Sequence, residues 1–155
     1  MNQNFEVRII AVGKLKESYL REAEDKLSTV LRKKVRLTLW EVPDEKTKEG
    51  ASEKEIEKVK TLEGKKMLKH FLPSGKIVAM DLRGKKLKSG EFQRMVQKYS
   101  EEETAVQFVI GGSLGISEEI LSLAHQKISF GEMTYPHQLF RIMLLEELVK
   151  IEDRV

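Results

Sequence analysis

The sequence predicts an α/β protein with a mainly parallel sheet and helices on both faces. Three observations support this prediction. Segments rich in β-branched residues alternate with amphipathic segments of helical period along the chain. The run 76–82, KIVAMDL, is almost continuously apolar, as in a central strand covered on both sides. The runs 106–110 and 128–130 each end in a glycine-containing loop, and open α/β sheets bind ligands beyond the carboxyl ends of their strands.

Length and composition set the remaining limits. The 155 residues fit one domain, and because no repeat or linker divides them we expect a single domain over 1–155. The 28 basic and 25 acidic residues give a net charge of +3, which indicates a solvated surface with a weak preference for anionic partners. The lack of cysteine excludes disulfides, thiolate metal sites and cysteine nucleophiles. With no signal-like or bilayer-length apolar run, we expect a cytoplasmic protein.

The first half of the chain predicts two strands and two helices. Strand 5–12 ends before Gly13, and strand 35–42 ends before Pro43. A charged loop, 43–51, is followed by a helix that begins with a capping box of Ser52 and Glu55 and ends near Pro73. The helix between the two strands, 18–31, has an apolar stripe of Tyr19, Leu20, Ala23, Leu27, Val30 and Leu31.

The second half continues the alternation. Strand 76–82 is predicted to end in a turn at Arg83 and Gly84. Ser117 is placed to cap a short helix with Ile120, Leu123 and Ala124 on its apolar side. The other predicted elements are helix 89–99, strand 105–110, strand 127–130, loop 131–136 and helix 137–151.

The last helix, 137–151, is apolar almost all round. Such a helix is covered on all sides. A self-complementary surface in a two-fold dimer would cover it. Burial against the domain's own sheet is the alternative, and both interpretations remain open.

The two glycine-containing loops are ambiguous when taken singly. The loop 111–115, GGSLG, matches neither the Walker pattern nor the dinucleotide fingerprint, so alone it predicts only a tight turn into a helix. The segment 130–137, FGEMTYPH, offers backbone amides, a thioether and aromatic rings. These groups suit a flat heterocycle and a ribosyl-thioether, although core packing of the same side chains is the alternative. Together the loops indicate a pocket for a nucleoside-like ligand.

Four stretches together resemble the RlmH family, ribosomal RNA large-subunit methyltransferases of the SPOUT class. They are GKLKESY near the amino end, EVPDEK at 41–46, FVIGGSLG at 108–115 and SFGEMTYPHQLFRIMLLEEL at 129–148. The resemblance extends from about Phe5 to Leu148, and the combination of IGGSLG with MTYPHQ is more specific than either motif.

The resemblance implies a SPOUT-like fold with a C-terminal trefoil knot, which is a rare exception to ordinary chain topology. It also implies a homodimer that binds S-adenosylmethionine and methylates N3 of a pseudouridine in 23S rRNA of the assembled ribosome, with no metal and no membrane. The cofactor positions of the family fall on Met80, Gly111, Phe130, Gly131, Glu132, Met133, Thr134 and Tyr135. Gly131 and Glu132 depart from the residues usual in the family at these positions.

No residue is identified as the general base. His137 can titrate and Arg141 lies one helical turn later, so we expect this pair to contact the substrate. The alternatives are that His137 bonds its own loop and that Arg141 pairs with an acidic residue of the partner subunit.

The family pattern continues beyond position 148 with an aromatic-Arg-Ala segment and a tail containing Pro-Tyr-His, where this sequence has VKIEDRV. That difference motivates a second hypothesis, a knotted RNA-binding or scaffolding dimer that binds the cofactor without turnover. A third is a nucleotide-binding α/β protein without the knot.

Overall fold

Strands and helices alternate along the chain, as predicted. The computed structural model describes residues 1–131, 133 and 135–151, and these form five strands and five helices. No helix among them is long and apolar enough to cross a bilayer. The elements are β1 (Glu6–Val12), α1 (Ser18–Arg32), β2 (Arg36–Val42), α2 (Glu53–Leu68), β3 (Lys76–Lys86), α3 (Ser89–Glu101), β4 (Val106–Ile110), α4 (Glu118–Leu123), β5 (Gln126–Ser129) and α5 (His137–Val149).

The sheet has the strand order β2-β1-β4-β3-β5, and every pairing in it is parallel. All five strands therefore end at the same edge. β4 lies between β1 and β3, with Ile110 paired to both Ala11 and Met80. The loop that follows β4 consequently emerges at the middle of this edge, between the ends of its neighbours.

Helices cover both faces of the sheet, and this confirms the predicted α/β architecture. Alternate residues of β1 point to opposite faces, so Ile9 packs with α1, α3 and α5, and Ile10 packs with α2 and α4. Side chains that are fully buried contribute roughly 1.5–3 kcal/mol each. The largest of these from the helices are Leu31, Phe92, Leu144, Leu145 and Leu148 on the first face and Met67 and Ile120 on the second.

The prediction of a turn at Arg83 and Gly84 is wrong. β3 continues to Lys86, and both Met80 and Lys85 pair with Ile128, so residues 81–84 form a bulge out of the strand. The pairing with β5 keeps the chain extended on both sides of the bulge.

Three side chains were assigned to the wrong face of their helices. Tyr19 and Val30 in α1 are 66% and 41% exposed, and Leu123 in α4 is 47% exposed. Leu20 and Leu121 are the buried residues near Tyr19 and Leu123. Near the ends of a helix, the residue that faces the sheet differs by one or two positions from the one that the apolar period predicts, because the last turns are irregular.

α5 packs against α1 and the sheet through one face. Its buried residues are Arg141, Leu144, Leu145 and Leu148. Leu139, Ile142 and Met143 are only half-buried within the chain. The domain itself therefore buries one face of α5. The dimer and the trefoil knot stay predictions.

Candidate functional site

A cavity of about 500 Å³ lies at the carboxyl ends of β3 and β4. We call it the strand-end cavity. Its volume is in the range of small-molecule sites. Three segments line most of it: the bulge after Met80, the loop 111–116, and Tyr135–His137 with Phe140. Lys60 of α2 completes the lining.

The wall formed by the loop after β4 is built mainly from backbone. Gly115 donates its N–H to the carbonyl of Gly112 at 3.0 Å, which folds the loop back on itself. A methyl group on Gly111 would lie 2.7 Å from the carbonyl carbon and oxygen of Gly115. Only glycine fits at position 111 without moving that backbone. Ser117 then caps α4 by accepting from the N–H of Ile120 at 3.3 Å.

The β3 bulge forms the second wall, and the sequence analysis did not assign it to the site. Asp81, Leu82 and Arg83 line the cavity. The Arg83 guanidinium lies 3.5 Å from the Asp81 carboxylate, and Leu82 is 48% exposed. A methyl group on Gly84 would lie 2.6 Å from the backbone N of Ile128, so glycine lets the bulge rest against β5. The signal available in the sequence was this glycine, directly after a buried strand.

The third wall leads into α5. The Tyr135 and Phe140 rings meet edge to face, with centroids 5.5 Å apart and an interplanar angle of 86°. Such pairs contribute about 0.5–1.5 kcal/mol beyond the burial of their area. This contact fixes Tyr135 beside the first turn of the helix, so His137, its first residue, also faces the cavity.

His137 is held in its neutral form. Burial lowers the pKa of its imidazole below the ordinary value, Asp44 opposes the shift, and the cations of Arg141 and Lys16 add to it. Its Nε2 lies close to Gly13 at the end of β1, 3.8 Å from where a methyl group on that glycine would stand. A neutral imidazole at the border of a cavity is able to accept a proton.

The structure does not bring Arg141 to the strand-end cavity. Its side chain is buried, and its guanidinium donates to Glu24 at 3.3 Å, Glu41 at 2.5 Å and the carbonyl of Gly13 at 2.8 Å. Burial raises the pKa of Glu24 although Arg141 opposes the shift. The guanidinium thus ties α5 to α1 and to the ends of β1 and β2. Substrate contact by Arg141 stays a prediction that this position does not favour.

The predicted cofactor residues divide into three groups. Met80, Gly111 and Tyr135 line the strand-end cavity together with His137. Phe130 instead packs edge to face on Phe92, with centroids 5.6 Å apart. Gly131 and Met133, which is 69% exposed, do not line the cavity. Glu132 and Thr134 lie outside the described residues.

No group of three or more His, Asp or Glu side chains in the described ranges is placed to hold a metal ion. The strand-end cavity combines a backbone wall, an aromatic pair and the imidazole of His137. A parallel α/β sheet with such a cavity at the strand ends defines the class of open α/β proteins, which bind ligands at this edge.

Sequence comparison identifies the family within this class. The family described as "Predicted SPOUT methyltransferase" matches residues 5–151. Proteins named "Ribosomal RNA large subunit methyltransferase H" from Clostridium botulinum (strain 657 / Type Ba4) and Clostridium kluyveri are each 46% identical over 145 residues, 93% of this chain and 91% of theirs. The chain belongs to the SPOUT methyltransferases and, among them, to the RlmH family, which confirms the resemblance drawn from its motifs.

A solved structure agrees with the fold. The crystal structure of a probable methyltransferase from Bordetella pertussis Tohama I matches with a TM-score of 0.58, covering 94% of this chain and 93% of that chain. The two sequences are 13% identical, so this likeness concerns the fold alone.

Proposed function

We propose that this protein is an S-adenosylmethionine-dependent methyltransferase that acts on N3 of a pseudouridine in 23S rRNA of the assembled ribosome. The observation that carries the proposal is the pairing of the 111–116 loop with Tyr135–His137 around one cavity. This pairing occurs in a chain 46% identical to relatives named as ribosomal RNA methyltransferases. The proposal includes a single knotted domain over 1–155, a homodimer and a cytoplasmic location, with no metal and no membrane.

The residues present fit the cofactor. Gly111 lets the 111–116 loop fold tightly against Gly115, so backbone forms this wall of the cavity, and Leu82 and Tyr135 offer apolar surface. Asp81, Arg83 and Lys60 place charges of both signs at the same cavity, which suits the amino and carboxylate groups of a methionyl tail. When bound there, S-adenosylmethionine supplies a methyl group made electrophilic by its sulfonium.

The segment 130–135 completes the proposed cofactor site. Phe130, Gly131, Glu132, Met133 and Thr134 are included through the family resemblance, and Tyr135 also through its position at the cavity. Backbone amides of this segment suit the edges of a purine. Met80, the last residue before the bulge, contributes from the strand end.

The chain's own contribution to the chemistry is alignment and removal of a proton. Alignment of donor and acceptor supplies several kcal/mol in well-oriented reactions, up to roughly 7–11 kcal/mol. The N3 imide of the acceptor carries a proton that must leave, and we propose His137, whose imidazole lines the cavity, as the group that accepts it. Asp44 favours the charged form of His137, so it stabilises the imidazolium that results. Arg141 fixes the first turns of α5 and thereby the position of His137.

Titration calorimetry with S-adenosylmethionine, followed by methylation of 70S ribosomes, tests the proposal. We expect the wild-type protein to bind the cofactor and to methylate N3 of one pseudouridine, identified by mass spectrometry of the digested rRNA. Absence of binding at millimolar cofactor would refute the enzyme assignment. Binding of both cofactor and ribosomes without methylation would instead favour the scaffolding alternative.

Gly111→Ala tests whether the strand-end cavity is the cofactor site. The added methyl group must displace the Gly115 backbone, so we expect the cofactor Kd to rise at least about tenfold and the stability to fall by about 1–3 kcal/mol. Gly90→Ala is the matched control, because its methyl group meets nothing closer than 3.5 Å. An unchanged Kd in a folded Gly111→Ala protein would place the cofactor elsewhere.

A further inference from the structure

A second cavity, of about 640 Å³, lies along the flank of the sheet between α3 and the strands β3 and β5. We call it the basic groove. It shares no lining residue with the strand-end cavity, and the functional assignment above does not use it. Its cationic and neutral hydrogen-bond donors are Lys76, Lys85, Arg94, Lys98, Tyr99 and His125.

The permanent charges of the groove are only partly compensated. Four cations face two carboxylates, Glu91 and Glu102. Glu91 already accepts from the N–H of Lys88 at 3.1 Å, and Glu102 lies 4.0 Å from Lys98. In the part of the chain that the structure describes, the other three cations make no ion pair: Lys76, Lys85 and Arg94.

Two neutral donors of the groove are held by hydrogen bonds. The His125 Nδ1 accepts from the N–H of Ile77 at 3.0 Å, so the proton of the neutral ring is on Nε2. The Tyr99 hydroxyl accepts from the Gln126 side chain at 2.7 Å, which leaves its own hydrogen free to donate. Burial raises the pKa of this phenol, so it keeps that hydrogen. Tyr99 belongs to α3, and His125, one residue before β5, is held by its bond to the N–H of Ile77 in β3.

The shape of the groove suits an extended polyanion. Lys76 is the first residue of β3. Lys85 and Met80 both pair with Ile128, so Lys85 lies level with Met80, four residues along the strand from Lys76. At about 3.3 Å per residue the backbone positions of the two lysines lie about 13 Å apart, which is enough for more than one phosphate of a strand. The apolar lining is limited to the half-buried Leu87 and Met95 and the ring of Tyr99, whereas protein partners are usually anchored by larger apolar side chains.

We propose that the basic groove binds backbone phosphates of the RNA substrate and holds the RNA at a second point, separate from the strand-end cavity. This inference rests on the proposed function, since it takes RNA as the substrate. Phosphate contacts position a nucleic acid without reading its sequence. The groove therefore sets affinity and orientation, and the strand-end cavity keeps the chemistry.

The triple variant Lys85→Gln, Arg94→Gln and Lys98→Gln removes three exposed cations of the groove. We expect KM for 70S ribosomes to rise at least about tenfold, with kcat and the cofactor Kd unchanged. In binding to an rRNA fragment, the slope of log K against log salt should fall by about 1 for each cation removed.

The matched control is Lys54→Gln, Lys58→Gln and Lys65→Gln, which removes the same charge from the exposed side of α2. We expect this control to change KM less than about twofold. An equal loss in both triple variants would mean that only net charge matters, and it would overturn the groove. A fall in kcat at unchanged KM and unchanged salt slope would overturn it as well.

Failure of the proposed function gives a different result. A wild-type protein that binds no S-adenosylmethionine and methylates nothing would refute the enzyme assignment, while the salt slopes of the wild type and the two triple variants still decide the groove. Equal salt slopes in all three proteins would overturn it, and a reduced slope in the groove variant alone would support it.

Discussion

His137 lies where the strand-end cavity meets the ends of β1 and β2, and its protonation controls the proposed proton transfer. Because burial and the nearby cations keep its pKa below the ordinary value of 6.5, the imidazole is neutral at pH 7. We therefore expect kcat/KM for ribosomes to be level near neutral pH. Below the pKa of His137 it should fall about tenfold per pH unit, as rate measurements on the acid side will determine.

Substitution of His137 separates this role from simple packing. His137→Gln removes the base while retaining a polar side chain, so kcat should fall about 10²–10⁴-fold and the acid limb should disappear. The cofactor Kd of this variant serves as the control and should change little. A variant that keeps its kcat, or keeps the acid limb, would assign the proton to another group.

The same pKa has a consequence for stability. The unfolded chain binds a proton at His137 at higher pH than the folded chain does, so the stability conferred by the neutral ring decreases as the pH drops below 6.5. The wild type should thus lose more stability than His137→Gln between pH 7 and the pKa of the folded imidazole, which denaturation at several pH values will show.

Arg141 is important for stability because it pairs with the carboxylates of Glu24 and Glu41. Arg141→Met leaves the Glu24 and Glu41 carboxylates without their shared cation. Because these side chains are 17% and 39% exposed, we expect a loss of about 1–3 kcal/mol, less than for a fully buried pair. Urea denaturation measures this loss. Lys98→Ala is the control, because its exposed pair with Glu102 is worth at most about 1 kcal/mol. A loss below about 1 kcal/mol in Arg141→Met would show that the cluster is not structural.

At the scale of elements, the β3 bulge determines what the strand-end cavity presents to a ligand. Gly84→Ala places a methyl group 2.6 Å from the backbone of β5, so the bulge or the β3–β5 pairing must shift. We expect a loss of about 1–3 kcal/mol in stability and weaker cofactor binding, measured by denaturation and calorimetry. Gly90→Ala, in a helical position, should be neutral or stabilise by up to about 1 kcal/mol. Wild-type cofactor affinity in Gly84→Ala would remove the bulge from the site.

The elements themselves were largely predictable, because their signals are local. The period of apolar residues located β1, α3 and α5 to within two residues, since one face of each meets the core. The bulge was not predictable in this way, because it exists only through the register of β3 on β5, some forty residues later.

The site was predictable in part, because its motifs are also local in the sequence. Motifs identified Met80, Gly111 and Tyr135, which the structure brings to one cavity. Arg141 was expected beside the substrate, but its partners Glu24 and Glu41 are 117 and 100 residues away along the chain. No pattern along one helix reveals such distant carboxylates. Ion pairs between residues this far apart in the sequence could therefore be identified only from the structure.

At the scale of the whole molecule, the two proposed sites occupy different parts of the sheet. The strand-end cavity lies beyond the carboxyl ends of β3 and β4, and the basic groove follows the flank beside β5. A substrate held along the flank would reach the cavity across the edge strand. This arrangement leaves the outward side of α5 as a third surface, available for a second copy of the chain.

That third surface gives the prediction for the assembly. Leu139, Ile142 and Met143 lie half-buried on the side of α5 that turns away from its own core. In a two-fold dimer these residues would pack against their symmetry mates, and a charge there would be buried at a cost of several kcal/mol. Ile142→Glu should therefore convert a dimer of twice 17.9 kDa into monomers in sedimentation at micromolar concentration. The control Glu146→Gln changes an exposed residue of the same helix and should leave the dimer intact. A wild type that sediments as a monomer, or an Ile142→Glu protein that stays dimeric, would place the interface elsewhere or remove it.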